Sequence, residues 1–125
     1  MEIPKDLLYT EEHEWVLVED DTATVGITDY AQGELGDIVF VELPKVGDAT
    51  KQMEPFGTIE AVKAVSDLFA PVSGKIVEVN DILGDQPGII NRDPYGSGWM
   101  IKIKLSDPSE LESLLSAEDY RALVR

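Results

Sequence analysis

Short stretches of alternating or β-branched residues, each closed by a turn signal, recur along this chain and confine it to a mainly β fold. Glu14–Glu19 (EWVLVE) runs into the acidic turn Asp20-Asp21, and Thr22–Ile27 (TATVGI) alternates beyond it, so the two read as a hairpin. The apolar density of 37–43 predicts a largely buried strand, punctuated by Pro44 and Gly47-Asp48. Segments 56–62 and 64–69 flank Lys63, and Pro71 breaks the run before the next strand, Gly74–Val79. Residues 81–95 are loop-rich, with Pro87-Gly88 and Asp93-Pro94. Strict alternation over 99–105 predicts the last strand.

Helices are expected to be short. Thr28 is placed to cap a helix over Asp29–Leu35 that Gly36 stops. In the tail, Asp107 supplies an N-cap, Pro108 the first helical position and Glu110 an acid in the first turn. Leu111, Leu114 and Leu115 would then share one face. A second helix starts at Ser116 and runs towards Leu123 and Val124, so the tail is read as apolar faces laid over a sheet.

A length of 125 residues with no interior linker fits one domain over 1–125, its core at about 14–105 and its C-terminal helices at about 108–124. One internal echo refines this. Gly36-Asp37-Ile38-Val39-Phe40-Val41 resembles Gly74-Lys75-Ile76-Val77-Glu78-Val79, and each copy is followed by a Gly-Asp pair, Gly47-Asp48 and Gly84-Asp85. Two similar β units would thus flank Lys63, suggesting two sheets with that lysine between them at one end.

Charge narrows the partners. Ten Lys and Arg stand against 25 Asp and Glu, a net charge of −15. Such a chain repels phosphate backbones and anionic lipid, so neither nucleic acid nor membrane is an expected partner. No apolar run approaches the roughly 20 residues of a membrane span. The start of the chain has no signal-peptide pattern, and the cytoplasm is the expected location. The absence of cysteine excludes disulfides, thiolate nucleophiles and cysteine-ligated metal within this sequence. A single histidine, His13, rules out a multi-histidine metal site, and no Asp-x-Asp-x-Asp-Gly loop is present, so no metal site is expected.

Chemistry-bearing residues are few. His13 sits in Glu11-Glu12-His13-Glu14-Trp15, where neighbouring carboxylates could raise its pKa and make it a general base. The favoured reading is a histidine in a polar stretch leading into a strand, since no nucleophile motif accompanies it. Gly33-Glu34-Leu35-Gly36 and Gly96-Ser97-Gly98 lack the strand–loop–helix setting of a phosphate loop and read as turns. Among seven lysines, Lys63 stands apart, bracketed by Ala61, Val62, Ala64 and Val65. It could be held at a hairpin tip as an accessible attachment point, or it could cross the middle of one long strand. No Asn-Gly or Asp-Gly marks a two-residue turn there.

The segment Glu60-Ala61-Val62-Lys63-Ala64-Val65-Ser66-Asp67, continuing to Ala70-Pro71-Val72-Ser73-Gly74, resembles the lipoyl-attachment segment of the glycine cleavage system H-protein family. Gly47, 16 residues before Lys63, and Gly74, 11 after it, are spaced as in the wider biotinyl/lipoyl family. The likeness extends through His13-Glu14-Trp15, Val25-Gly26-Ile27-Thr28, Ala31-Gln32, Leu35-Gly36-Asp37-Ile38-Val39 and Leu43-Pro44 to Asn80, Pro94-Tyr95 and Gly98-Trp99. Ala61 and Val65 vary positions beside the lysine without removing its amine.

The resemblance implies a barrel-sandwich hybrid of two antiparallel sheets, with short helices and a helical C-terminal tail, carrying Lys63 at a hairpin tip. It implies a non-catalytic carrier whose cofactor, lipoate, is joined to Lys63 as an amide. The family shuttles the aminomethyl fragment of glycine from a pyridoxal-phosphate glycine decarboxylase to a folate-dependent aminomethyltransferase. Dihydrolipoyl dehydrogenase then reoxidises the dithiol, and lipoate-attaching enzymes are further partners. These belong to glycine catabolism and one-carbon metabolism. Glu12, Glu14 and Asp67 are expected to form an acidic cleft that shelters the cationic amine of the loaded arm. The alternatives are an H-like carrier that relays lipoyl groups to other enzymes, a lipoyl or biotinyl domain of another complex, and a small acid–base enzyme using His13 and Glu14. Flanking methionines typical of a biotin site are missing at Lys63.

Overall fold

Nine strands form two antiparallel sheets in the computed structural model, which describes residues 1–125. The expected first hairpin is present: β2 (Glu14–Glu19) pairs with β3 (Thr22–Ile27) from Glu14↔Ile27 to Glu19↔Thr22. Asp20 takes the turn at φ 56°, a left-handed conformation that Asp tolerates. β9 (Ile101–Leu105) pairs with β3 on one side and β8 (Gly74–Val79) on the other. Two-residue strands complete the six-stranded sheet, β1 (Leu8–Tyr9) against β2 and β5 (Ala49–Thr50) against β8. Neither is long enough to show alternation, and the sequence reading does not contain them.

The second sheet has the order β4 (Ile38–Glu42), β6 (Pro55–Ala61), β7 (Val65–Phe69). The two copies of the internal echo therefore lie in different sheets, one on β4 and one on β8. The sheets bury their inward side chains against each other: Val25, Ile76, Ile101 and Ile103 from one, Ile38, Val41, Ile59 and Leu68 from the other. Each such side chain removed from water contributes about 1.5–3 kcal/mol.

Hydrophobic packing extends beyond 14–105. A second cluster joins Ile3, Leu7, Tyr9 and Trp15 to Ala117 and Tyr120, so both ends of the chain are built into the body. Here the tail departs from the expected pair of helices. Pro108–Ser113, capped by Asp107 and opened by Pro108 as expected, is a 3-10 helix and not an α-helix, and Leu115 is extended, exchanging backbone hydrogen bonds with Tyr9 (2.7 and 2.8 Å). Leu111, Leu114 and Leu115 therefore do not share one α-helical face. α4 (Ala117–Val124) follows where the sequence places a second helix, and the Ser116 side chain caps it by accepting the Asp119 N–H.

α1 (Asp29–Leu35) has the expected limits, with Thr28 Oγ1 accepting from the Ala31 N–H and Gly36 closing it at φ 80°. The loop-rich stretch holds two single-turn helices, α2 (Ile82–Asp85) and α3 (Ile89–Arg92), each burying one side chain, Leu83 and Ile90. No helix is long and apolar enough to cross a membrane.

Candidate functional site

Lys63 stands at the tip of the β6–β7 hairpin. Strand pairing ends at Glu60↔Val65, and Ala61 N–H donates to Ala64 O at 2.7 Å, leaving Val62 and Lys63 across the top. The tip is tied to the neighbouring strand: Val62 N–H donates to Asp37 O at 3.1 Å beside the Ile38↔Ala61 pair. This third strand supplies the constraint that a strong turn dipeptide would otherwise provide. Val62 and Val65 are 76% and 68% exposed, so the lysine is displayed between two apolar side chains in water.

The lysine stem lies against Gly36. A Cβ at Gly36 would come within 3.3 Å of Lys63 Cε and 3.8 Å of Nζ, and the residue already needs φ 80°. Glycine there satisfies both the helix stop and the lysine's path. Lys63 Nζ has no carboxylate within ion-pair distance; the ion pairs are Lys51–Glu54 and Lys102–Glu78. A primary amine exposed at a rigid tip and free of a counter-ion is suited to amide formation.

Beside the lysine opens a cleft of about 260 Å³. Glu12, His13 and Glu14 form one wall, Tyr30, Glu34 and Leu35 of α1 another, and Ser66 and Asp67 of β7 the third. Ile27, Ile59 and Leu68 give it an apolar floor. The three acids singled out from sequence, Glu12, Glu14 and Asp67, thus line one cleft. Glu34 completes the acidic rim and was not anticipated. Its signal is helical spacing, four residues after Tyr30 on α1, but only the packing of α1 shows that this face looks into the cleft.

Glu14 is 1% exposed. Thr10 Oγ1 donates to its Oε1 at 2.5 Å, and Phe69 N–H donates to its Oε2 at 3.3 Å. Burial dominates these hydrogen bonds and pushes the carboxyl up to about 8. Glu14 is therefore mostly protonated at pH 7 while the cleft holds no cation, unlike the charged acid that an acidic cleft implies.

His13 adopts φ 72°, uncommon for a residue with a side chain. Its ring packs against Tyr30 with centroids 4.9 Å apart, and Nδ1 lies 2.9 Å from Tyr120 Oη. Burial lowers its pKa, outweighing Glu12 and Glu34, which act the other way. The reading of a general base with a raised pKa is thus set aside: burial moves His13 below its usual value and favours the uncharged ring.

Comparison with known proteins agrees with this architecture. The family model described as "Glycine cleavage H-protein" matches residues 7–125. The chain is 58% identical over 125 residues to the glycine cleavage system H protein of Oceanobacillus iheyensis, covering 100% of this chain and 99% of that one. It is 56% identical over 124 residues to that of Staphylococcus carnosus, covering 99% and 98%. The crystal structure of a glycine cleavage system H protein from Mycobacterium marinum superposes with a TM-score of 0.90 at 43% identity, covering 96% of this chain and 97% of that one. With the strand order, the displayed lysine and the acid-rimmed cleft in place, these matches establish that the chain belongs to the glycine cleavage H-protein family.

Proposed function

We propose that this chain is the lipoyl-bearing carrier of the glycine cleavage system, with lipoate joined as an amide to Lys63 Nζ. The observation that carries this reading is the exposed Lys63 on the β6–β7 tip beside the cleft. When bound, the lipoyl group supplies a dithiolane that accepts the aminomethyl fragment of glycine and returns as a dithiol for reoxidation. The chain itself catalyses nothing; it supplies position.

Lys63 tethers the arm, and the paired strands beneath it limit where the arm can reach, which raises its effective concentration at each partner. Ile27, Ile59 and Leu68 offer an apolar bed for hydrocarbon. Glu12, Glu14 and Asp67 offer negative charge to a cationic amine and restrict water around it. Glu14 contributes charge only after losing its proton, which a nearby cation would draw off. The partners are the glycine decarboxylase, the aminomethyltransferase, dihydrolipoyl dehydrogenase and the lipoate-attaching enzymes, all met in the cytoplasm. A net charge of −15 would steer the carrier towards basic faces on them.

The test is intact mass after incubation with a lipoate ligase, lipoate and ATP, beside Lys63→Ala. Wild type gains one lipoyl group and the variant none. Failure of wild type to gain mass, with a known H protein modified in the same tube, would overturn the assignment.

A further inference from the structure

Three groups outside the arm's anchor form a closed hydrogen-bonded chain into the cleft. Thr28 Oγ1 lies 2.7 Å from Tyr120 Oη, and Tyr120 Oη lies 2.9 Å from His13 Nδ1. Thr28 and Tyr120 are fully enclosed, so each hydroxyl hydrogen needs a partner within the protein.

Counting hydrogens gives the chain a direction. Thr28 Oγ1 already accepts the Ala31 N–H at 3.1 Å in its role as the α1 cap. Its own hydrogen has one acceptor in reach, Tyr120 Oη. Tyr120 Oη, having accepted that hydrogen, points its own at His13 Nδ1. A neutral imidazole that accepts at Nδ1 carries its proton on Nε2. The reverse order would leave the Thr28 hydrogen buried and unpaired, at a cost of about 1–3 kcal/mol.

The backbone holds this arrangement. His13 N–H donates to Thr10 O at 3.2 Å, and Thr28 N–H donates to His13 O at 3.0 Å, which fixes the left-handed residue between two strands. Tyr120 is fixed in turn by stacking on Tyr9, centroids 4.6 Å apart at 8°. Nε2 bonds to nothing in the chain and, as His13 lines the cleft, is the ring nitrogen left for an occupant.

We propose that Thr28 and Tyr120 lock His13 in its Nε2–H tautomer, so that His13 presents a hydrogen-bond donor to the arm in the cleft. The donor suits an acceptor atom of that arm, above all its amide carbonyl, and not its cationic amine, which the acids serve. The C-terminal helix thereby acts on the cleft through Tyr120, a positioning residue that never touches the arm. The identity of the acceptor rests on the carrier reading; the tautomer does not.

His13 is the only histidine, so long-range ¹H–¹⁵N correlation reads its ring nitrogens without overlap. At pH 7.5 the unmodified protein should show a protonated Nε2 and a bare Nδ1. Tyr120→Phe keeps the stacked ring but removes the hydroxyl, and should give a mixture of tautomers; Thr28→Ser keeps the chain and should not. A dominant Nδ1–H tautomer in wild type, or no response to Tyr120→Phe, overturns the ordered chain. Lipoylation of Lys63, confirmed by mass, should shift the Nε2 resonance, and no shift overturns the contact with the arm. In the aminomethyl-charged carrier, His13→Ala should release ammonia and formaldehyde about fivefold faster, the worth of one neutral hydrogen bond. His13→Gln, which retains a donor at a similar reach, should stay near wild type; equal rates for the two variants count against the donor role.

Discussion

The Thr10 hydroxyl and the Glu14 carboxyl form a buried pair, with Thr10 Oγ1 donating to Glu14 Oε1 at 2.5 Å while accepting the backbone N–H groups of Glu12 and Glu14 at 3.2 and 3.1 Å. One threonine side chain thus shapes the bend into β2 and holds an acid against the cleft. The hydrogen bonds favour the ionised carboxyl, but burial outweighs them.

The raised pKa makes stability fall with rising pH. The unfolded carboxyl ionises near 4.5 and the folded one near 8, so between these values the folded state binds more protons. Glu14's contribution is fully present below pH 4.5 and is lost as pH rises through 8. Against Glu14→Gln, which cannot ionise, wild type should lose on the order of 3 kcal/mol between pH 5 and pH 9. Parallel urea melts of the two proteins at several pH values measure this; curves that keep a constant separation would refute it.

Charge in the cleft should govern retention of a cationic amine. In the aminomethyl-charged carrier, Asp67→Asn should speed release of ammonia and formaldehyde at every pH from 6 to 9, by about tenfold or less. Glu14→Gln should also speed release, by a margin that widens from pH 6 towards pH 9 as the wild-type carboxyl ionises beside the amine. Release that is equally slow in all three proteins at pH 9 would mean that these carboxylates do not hold the arm.

The two glycines at family spacing from Lys63 should differ sharply on substitution. A Cβ at Gly74 would fall 2.0 Å from Lys104 O, a backbone atom that cannot step aside, so Gly74→Ala should cost about 3 kcal/mol or more. Gly47 has φ 98° and nothing within 4 Å, so Gly47→Ala carries backbone strain alone, about 1 kcal/mol. Thermal denaturation of both variants separates the two causes, and comparable melting temperatures would contradict them.

What the sequence determined by itself was local. The β2–β3 hairpin and α1 with its Thr28 cap follow from alternation, turn residues and capping chemistry, interactions among residues close in the chain. The family likeness was likewise carried by short motifs of adjacent residues, around Lys63 and along the chain from His13 to Trp99. Local residues left Lys63 either at a tip or within a strand, and the tertiary structure shows what makes the tip, since the turn carries no strong dipeptide and is held by Asp37 O, 25 residues before Val62. Tertiary packing also set the protonation of Glu14, since burial comes from strands that the sequence does not show meeting. The same holds for Glu34 at the cleft and for Tyr120 reaching His13 across 107 residues. Periodicity shows which face of an element is apolar; it takes the packed sheets and tail to show what that face, and the polar groups beside it, confront.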